Sequence, residues 1–382
     1  MHLAELVRMR TQPCAGLLLA LTQRCPLSCA HCSTSSSPRA PQHSGAPFRR
    51  LVGTFTAAEH PELVFMSGGE PLLRPRLVAD LATAARAAGT RSCLLSGMFF
   101  ARADGLAPVL RHAIAALDHF SASLDEFHER EVGRERVLAA LATIADLVAA
   151  VSLHVTAAST DYLDDVLPVI RRRFGQRVPV LVSRVQPTGR ARTLLPDRQP
   201  VLASGPCEFA GWPLVDFDGT VFACSRQSLA RAHRPAHLVL GHAGRDSWPE
   251  LRRRSLAQPA LRAVRSVGPV EAARRAGASI RADVCATCVR LPPHTQPPAA
   301  GVELLAGQLL SRVPPRQWAR RWGAGDHADL VELGWTGDQP DPVEPGPPAD
   351  QADPAVPGPP GDQADPAVPG RPGAAAVPEV PT

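Results

Sequence analysis

Between residues 14 and 187, short apolar runs alternate with longer amphipathic stretches. The runs AGLLLAL (15–21), ELVFMS (62–67), RSCLLSG (91–97), DHFSASL (118–124), VSLHVTA (151–157) and VPVLVSRV (178–185) predict strands. Between most of them lie RPRLVADLATAARAAG, GLAPVLRHAIAAL, RERVLAALATIADLVAA and YLDDVLPVIRRRFG. The last three space apolar residues three and four apart, and glycine follows two of the four, as a helix C-terminus favours. Strand–helix–strand repeated in this way implies parallel strands joined by right-handed crossovers. The expected fold class is α/β, an open sheet or a partial (β/α)6 barrel. In both, chemistry sits where the C-terminal ends of the strands meet their loops.

Chemistry-bearing residues gather at those ends. The first strand runs into LTQRCPLSCAHCS, which packs Cys25, Cys29 and Cys32 into eight positions. The second ends in SGGEP, Ser67 to Pro71. Paired glycines permit close backbone approach to a ligand, and Glu70 is able to accept a hydrogen bond from an amine. The fourth strand ends in SASLDE, with Ser123 and Asp125 at its mouth, and the sixth runs into QPTGRA, Gln186 to Ala191.

Composition narrows what the thiols do. Of 382 residues 45% are hydrophobic, enough for two globular units. No apolar run reaches the roughly 18 residues needed to cross a bilayer, and the N-terminal apolar patch ends in glutamine and arginine where a signal peptide has small residues. These features predict a cytoplasmic, membrane-free protein, in which clustered cysteines bind metal or catalyse rather than form disulfides. The odd count of nine cysteines points the same way. All 41 basic residues are arginine, in keeping with a GC-rich coding bias, and the absence of lysine excludes chemistry that runs through a lysine Schiff base.

From residue 338 the units DQPDPVEPGPPA, DQADPAVPGPPG and DQADPAVPGRPG repeat with a period of 12. The tail holds 14 of the 40 prolines and a net charge of −7, which leaves +12 on residues 1–337 of a chain that totals +5. Too poor in large apolar residues to bury a core, it is expected to be disordered. The basic body is suited to an acidic peptide or phosphorylated metabolite. No basic stretch is interleaved with aromatics in the way nucleic-acid binding favours.

A second set of thiols follows the sixth strand. CEFAGWPLVDFDGTVFAC, residues 207–224, reads as a hairpin turning at Asp-Gly and flanked by Cys207 and Cys224. CATC supplies Cys285 and Cys288 some 60 residues later. A zinc ribbon would have to pair Cys29 and Cys32 with Cys285 and Cys288, a separation far beyond the roughly 15–20 residues such sites use. Cys14 and Cys93, beside or inside apolar strands, are expected to be buried and inert.

The CxxxCxxC loop after a first strand, followed by GGEP after a second, resembles the radical S-adenosylmethionine (radical SAM) superfamily. The resemblance implies that Cys25, Cys29 and Cys32 hold a [4Fe–4S] cluster with one open iron, on which S-adenosylmethionine is reductively cleaved to a 5′-deoxyadenosyl radical that abstracts a substrate hydrogen. It further implies that Ser67, Gly68, Gly69 and Glu70 bind the methionine amine and that Ser123 contacts the ribose. Asp125 is a further cofactor-binding candidate, as are Arg130 and Arg134, and His31 would pack on the adenine. The hairpin and CxxC resemble the SPASM and shorter Twitch extensions of the same superfamily, which implies that Cys207, Cys224, Cys285 and Cys288 carry an auxiliary [4Fe–4S] cluster.

The implied organisation is a radical SAM core over 15–200, a SPASM/Twitch-like domain over 201–295, a helical extension over 296–337 and the repeat tail over 338–382. The implied function is modification of a peptide, with an electron donor such as flavodoxin or ferredoxin as partner. Two alternatives remain: a dehydrogenase of a sugar or aminocyclitol alcohol, and a non-catalytic zinc or iron–sulfur protein. Ser225 follows Cys224 where sulfatase-maturing relatives carry an acidic base, so that activity is not expected. No catalytic residue is assigned.

Overall fold

In the computed structural model all six expected strands form, each within two residues of its predicted run. They are β1 (Gly16–Ala20), β2 (Leu63–Ser67), β3 (Arg91–Ser96), β4 (His119–Ser123), β5 (Val151–Ala157) and β6 (Val180–Arg184). Every neighbouring pair among them is parallel. The structure describes residues 1–302 apart from 2, 11, 159, 195–204, 282 and 300, together with 305 and 331–332. The chain divides into two units, Met1–Gln339 and Pro340–Thr382. All of the second unit, and most of the segment expected to be a helical extension, lie outside the described residues.

Helices fill the crossovers in chain order. After α1 (Leu3–Met9) come α2 (Ala46–Val52), α3 (Pro75–Ala87), α4 (Pro108–Ala115), α5 (Glu126–Glu129), α6 (Arg134–Ala145) and α7 (Thr160–Phe174). Proline in the first turn starts α2, α3 and α4, where its missing N–H costs nothing. The strand face turned toward these helices is fully buried: Leu17, Leu19, Val64, Met66, Leu94, Phe120, Leu153, Val155 and Val182 are all 0% exposed. Each such side chain contributes about 1.5–3 kcal/mol by leaving water. This face is the core.

The opposite face alternates with it and stays half-exposed. Leu18, Phe65, Ser67, Leu95, Ser123, His154, Thr156 and Ser183 line it, apolar on β1–β3 and hydroxyl- or imidazole-bearing on β4–β6. It is the open lumen of a partial barrel. Beneath it, the N-terminal ends of the strands are closed by α1 and Trp212, which pack with Leu6, Met9, Leu63 and Cys93. The Trp212 indole Nε1 donates to the Met9 carbonyl (2.8 Å), and the His119 ring Nδ1 contacts the Met1 carbonyl (2.9 Å).

The predicted hairpin does not stand apart from this sheet. β7 (Leu214–Val215) lies parallel to β1, β8 (Thr220–Phe222) returns antiparallel, and β9 (Val239–His242) follows. Beyond it are α8 (Gln227–His233), α9 (Trp248–Ala257), α10 (Pro259–Arg275), α11 (Val284–Cys288) and β10 (Val331–Glu332). The sheet has ten strands in the order β10-β6-β5-β4-β3-β2-β1-β7-β8-β9. No described helix is long and apolar enough to cross a membrane.

Because the floor fixes where the lumen ends, Trp212→Ala should cost about 3 kcal/mol or more, as large aromatic truncations in cores do. A lower urea midpoint with an unchanged slope is the expected result; an unmoved midpoint would mean that the floor adds no stability.

Candidate functional site

Cys25, Cys29 and Cys32 sit on the loop between β1 and α2, at the C-terminal end of β1. Burial pushes the Cys25 thiol up to about 12; the Leu27 amide opposes this, while charge on Glu70, Cys29 and Cys32 adds to it. Charge on Cys29 and Cys32 is thus near enough to act on the Cys25 thiol. Cys32 behaves differently. Burial raises it, but hydrogen bonds from the Thr34 side chain and the Ser36 and Thr34 amides, together with the charge of Arg190, bring it below the ordinary thiol value.

The SGGEP turn braces the entry to this loop. The Leu21 amide donates to the Ser67 carbonyl (2.9 Å), Gly69 N to the Thr22 carbonyl (2.6 Å) and Glu70 N to the Arg24 carbonyl (2.8 Å). A Cβ on Gly68 (φ +129°) would stand 2.5 Å from the Thr22 oxygen, and one on Gly69 2.2 Å from the Arg24 oxygen. Only glycine permits so close an approach.

Glu70 departs from its expected part in holding an amine. Its carboxylate is 0% exposed and already accepts from Leu72 N (3.0 Å), Ser96 Oγ (3.1 Å) and Gly97 N (2.9 Å). Burial outweighs those bonds and pushes its pKa to about 7. The side chain ties the β2 turn to the β3 turn, so any amine contact in Ser67–Glu70 is left to backbone carbonyls and the half-exposed Ser67.

Asp125 is occupied in a similar way. Its carboxylate caps α5 by accepting from Phe127 N (3.0 Å) and His128 N (2.9 Å). It also meets His128 Nδ1 at 2.7 Å and His31 Nε2 at 3.4 Å. These three side chains place ligand-type atoms within 4.8 Å of one another, with Asp125 and His128 paired as ions. Burial resists the charge on Asp125, but the hydrogen bond and charge of His128, and then the charge of His31, hold its carboxyl below the usual range. Burial likewise opposes an imidazolium at His128, yet bonds and charge from Asp125 and Cys29 raise it to about 10. Burial lowers His31 to about 4 against the pull of Asp125.

His31 stacks on Phe127, ring centroids 4.6 Å apart, and Arg130 lies over the other ring at 5.6 Å. Arg134 is held by Glu129 (2.7 Å) and Asp165 (2.6 Å), which leaves Arg130 as the exposed arginine of the two candidates. Ser123 is half-buried on the lumen face, opposite His154 in the β4–β5 register. His154 hydrogen-bonds Ser183 at 3.0 Å, and burial lowers its pKa to about 4, so it is neutral. Neither His128 nor His154 stood out in the sequence, although the first lies three residues after Asp125 and the second occupies an alternate position of a predicted strand.

In the second thiol set, too, the charges act on one another. Burial raises Cys288 well above the thiol value, and charge on Cys207, Cys224 and Cys285 raises it further. Burial also pushes Cys224 up to about 12, with Cys207 and Cys285 adding and the Arg226 amide opposing. Cys207 is positioned by its amide on the Val264 carbonyl of α10 (3.1 Å); Cys285 and Cys288 ride on α11, whose first turn Asp283 caps. Among the described residues Cys29, Cys32, Cys285 and Cys288 do not form a group with their sulfurs within 4.8 Å of one another, as a zinc ribbon would need. Cys14 and Cys93 are buried, and burial raises both thiols.

The Asp125–His128 pair gives a pH dependence of stability. His128 titrates near 6.5 when unfolded and near 10 when folded, so its contribution is complete below pH 6.5 and is lost as the pH rises to 10. The contribution of Asp125 runs the other way, present above its unfolded value of 3.8 and lost below it. Asp125→Asn keeps the cap but removes the anion, at a cost of about 3 kcal/mol near pH 6. Urea midpoints of the metal-free protein should fall between pH 6.5 and 10 in the wild type and much less in Asp125→Asn. Equal falls would show that the pair does not set the dependence.

Residues 19–169 match the model of the radical SAM superfamily. A PqqA peptide cyclase of Gluconobacter oxydans (strain 621H) is 34% identical over 129 residues, which cover 33% of this chain and 34% of that protein. The match therefore spans about a third of the length of that curated relative. Among solved structures, native anSMEcpe with bound AdoMet and Cp18Cys peptide aligns with a TM-score of 0.43 at 12% identity, over 62% of this chain and 79% of that one. Streptococcus suis SuiB bound to S-adenosylmethionine aligns at 0.40 and 11%, over 58% and 63%. The family match runs from β1 into α7 and takes in the three-cysteine loop, the SGGEP turn and Asp125. Through that stretch the chain is similar to the radical SAM superfamily.

Proposed function

We propose that this chain is a radical SAM enzyme that holds a [4Fe–4S] cluster on Cys25, Cys29 and Cys32 and uses it to modify a peptide. The observation that carries the reading is the placement of three closely spaced thiols on a single loop, braced by the Gly68–Gly69 turn, at the C-terminal end of a parallel sheet. The donor set fits the group. Thiolate is the natural ligand of iron–sulfur clusters, and three thiolates that repel one another when metal-free are stabilised by a cationic cluster. When bound, the cluster supplies the electron that splits S-adenosylmethionine into methionine and the 5′-deoxyadenosyl radical, which takes a hydrogen atom from the substrate.

The chain's own residues bind and orient. Ser67 and the carbonyls of the SGGEP turn face the methionine end, Ser123 and the lumen hydroxyls face the ribose, and the His31–Phe127–Arg130 stack offers a flat surface beside the loop. Glu70 and Asp125 act behind them, fixing the β2 and β4 turns. A peptide substrate is favoured by the relative named as a PqqA peptide cyclase and by the net charge of +12 on residues 1–337, which suits an acidic peptide. Electrons would come from a flavodoxin- or ferredoxin-type donor. Cys207, Cys224, Cys285 and Cys288 form a complete four-thiolate set, suited to a closed auxiliary cluster that transfers electrons.

Anaerobically reconstituted protein with dithionite should convert S-adenosylmethionine to 5′-deoxyadenosine, and Cys29→Ala should abolish this, because losing one thiolate of three removes the site. A normal yield from Cys29→Ala would overturn the assignment. Replacing Cys25, Cys29 and Cys32 together by alanine should leave about four irons per chain, by the rule of one cluster per four thiolates. Iron-free protein, or a single bound zinc, would remove the auxiliary cluster.

A further inference from the structure

The loop that carries Cys25, Cys29 and Cys32 has almost no regular structure of its own, being turns and bends between β1 and α2. Its backbone carbonyls therefore need donors from elsewhere. Several come from a residue more than 150 positions away. Arg190 follows β6, and its Nε and Nη2 both donate to the Cys29 carbonyl, at 3.1 and 2.9 Å. Its Nη1 donates to the Ser36 carbonyl (2.5 Å), and its amide to the Cys32 carbonyl (3.0 Å). One residue thus grips the loop at its middle cysteine, its last cysteine and its far end.

The preceding residue allows the approach. Gly189 has φ +58°, and a Cβ there would lie 2.4 Å from the Cys32 oxygen and 2.5 Å from the Ser33 oxygen. The backbone of the β6 loop is laid directly on the backbone of the cysteine loop. All three of the side-chain hydrogen bonds of Arg190 end on carbonyl oxygens rather than on carboxylates. Its positive charge is thus delivered to the loop and reaches the Cys32 thiol.

From this geometry we propose that Arg190 is the positioning residue of the cysteine loop: it latches the loop in the ligating shape and sets a fixed positive charge beside the bound cluster. The second half of this statement rests on the cluster reading of Cys25, Cys29 and Cys32; the first does not. A guanidinium suits the task because its planar fork makes several bonds at once and stays charged, whereas an ammonium offers the charge without the fork. A positive charge next to a cluster favours the reduced state, which carries one more negative charge.

Three measurements on the full chain test it. In metal-free protein, Arg190→Met should raise amide hydrogen exchange across 25–37 at least tenfold, while β3 to β5 exchange as in the wild type. Unchanged exchange across 25–37 would overturn the latch; a rise over the whole sheet would overturn a local role. In reconstituted protein, the reduced-cluster EPR signal that changes on adding S-adenosylmethionine should have a lower midpoint potential in Arg190→Met than in the wild type. Arg190→Lys should keep the potential near the wild-type value but lose iron to a chelator faster, because it restores charge and not the fork. Equal potentials in Arg190→Met and the wild type would overturn the electrostatic half. Absence of any such signal in the wild type would overturn the cluster reading, while the exchange result still decides the latch.

Discussion

Backbone polar groups in a loop without helix or strand have to find partners, and in the cysteine loop that requirement organises its surroundings. Thr22 and Arg24 give their carbonyls to the amides of Gly69 and Glu70, Cys25 N reaches the Ser37 carbonyl, and the Cys29 carbonyl collects Cys32 N and the Arg190 guanidinium. The partners from outside the loop, Gly69, Glu70 and Arg190, stand on turns that leave the C-terminal ends of β2 and β6. The glycines at 68, 69 and 189 follow from the same requirement, since a Cβ at any of them would occupy the space of a loop carbonyl. What holds the sulfurs in place is therefore a set of strand-end turns bearing on one unstructured segment.

Electrostatics around the loop is arranged in layers. The sulfurs that would carry the negative charge lie at the centre, two of them half-buried. Around them stand cations of two kinds: Arg190, bonded to carbonyls, and His128, kept protonated by Asp125 and Cys29 in spite of burial. Asp125 is itself satisfied by two amides and two imidazoles, so a fully buried carboxylate stays charged without a free lone pair to offer a ligand. Glu70 is the contrasting case. Only neutral donors bond it, and its pKa rises to about 7. Two acids at the same end of the sheet, each drawn into the fold, differ because Asp125 is hydrogen-bonded to the His128 imidazolium, whereas Glu70 feels that charge only through space and burial prevails.

The hairpin that bears Cys207 and Cys224 is joined to the same sheet. β7 pairs with the free edge of β1, the strand that feeds the first cysteine loop, so the hairpin bearing Cys207 and Cys224 is anchored on that same strand. The edge pairing also leaves β1 without an unpaired flank for another chain to join. Trp212, two residues before β7, closes the floor of the lumen. One short segment thus caps the barrel below, extends the sheet sideways and places a cysteine group. The barrel and the hairpin share structure that their separate motifs do not suggest.

A good deal of this was legible in the residues alone. Six apolar runs at regular spacing fixed the strands, because a strand buried against helices has to be apolar wherever it sits in the chain. The positions of Cys25, Gly68 and Ser123 at strand ends followed from the order of the elements, and the grouping of Cys207 with Cys288 was expected from the superfamily resemblance. The partners of individual polar groups were not legible. Glu70 and Asp125 read as ligand-binding acids because a carboxylate in a sequence carries no record of which donors will reach it. The folded chain gave Glu70 to Ser96 and Gly97, and Asp125 to His31 and His128. Arg190 was legible only as part of the QPTGRA stretch at the end of the sixth strand; nothing in the residues told which loop its guanidinium would reach. Its role arises from a contact across some 160 residues, and such contacts are set only when the sheet brings β6 and the cysteine loop to the same end. Periodicity is a local property of a chain, and pairing between distant polar groups is a property of its closure in space.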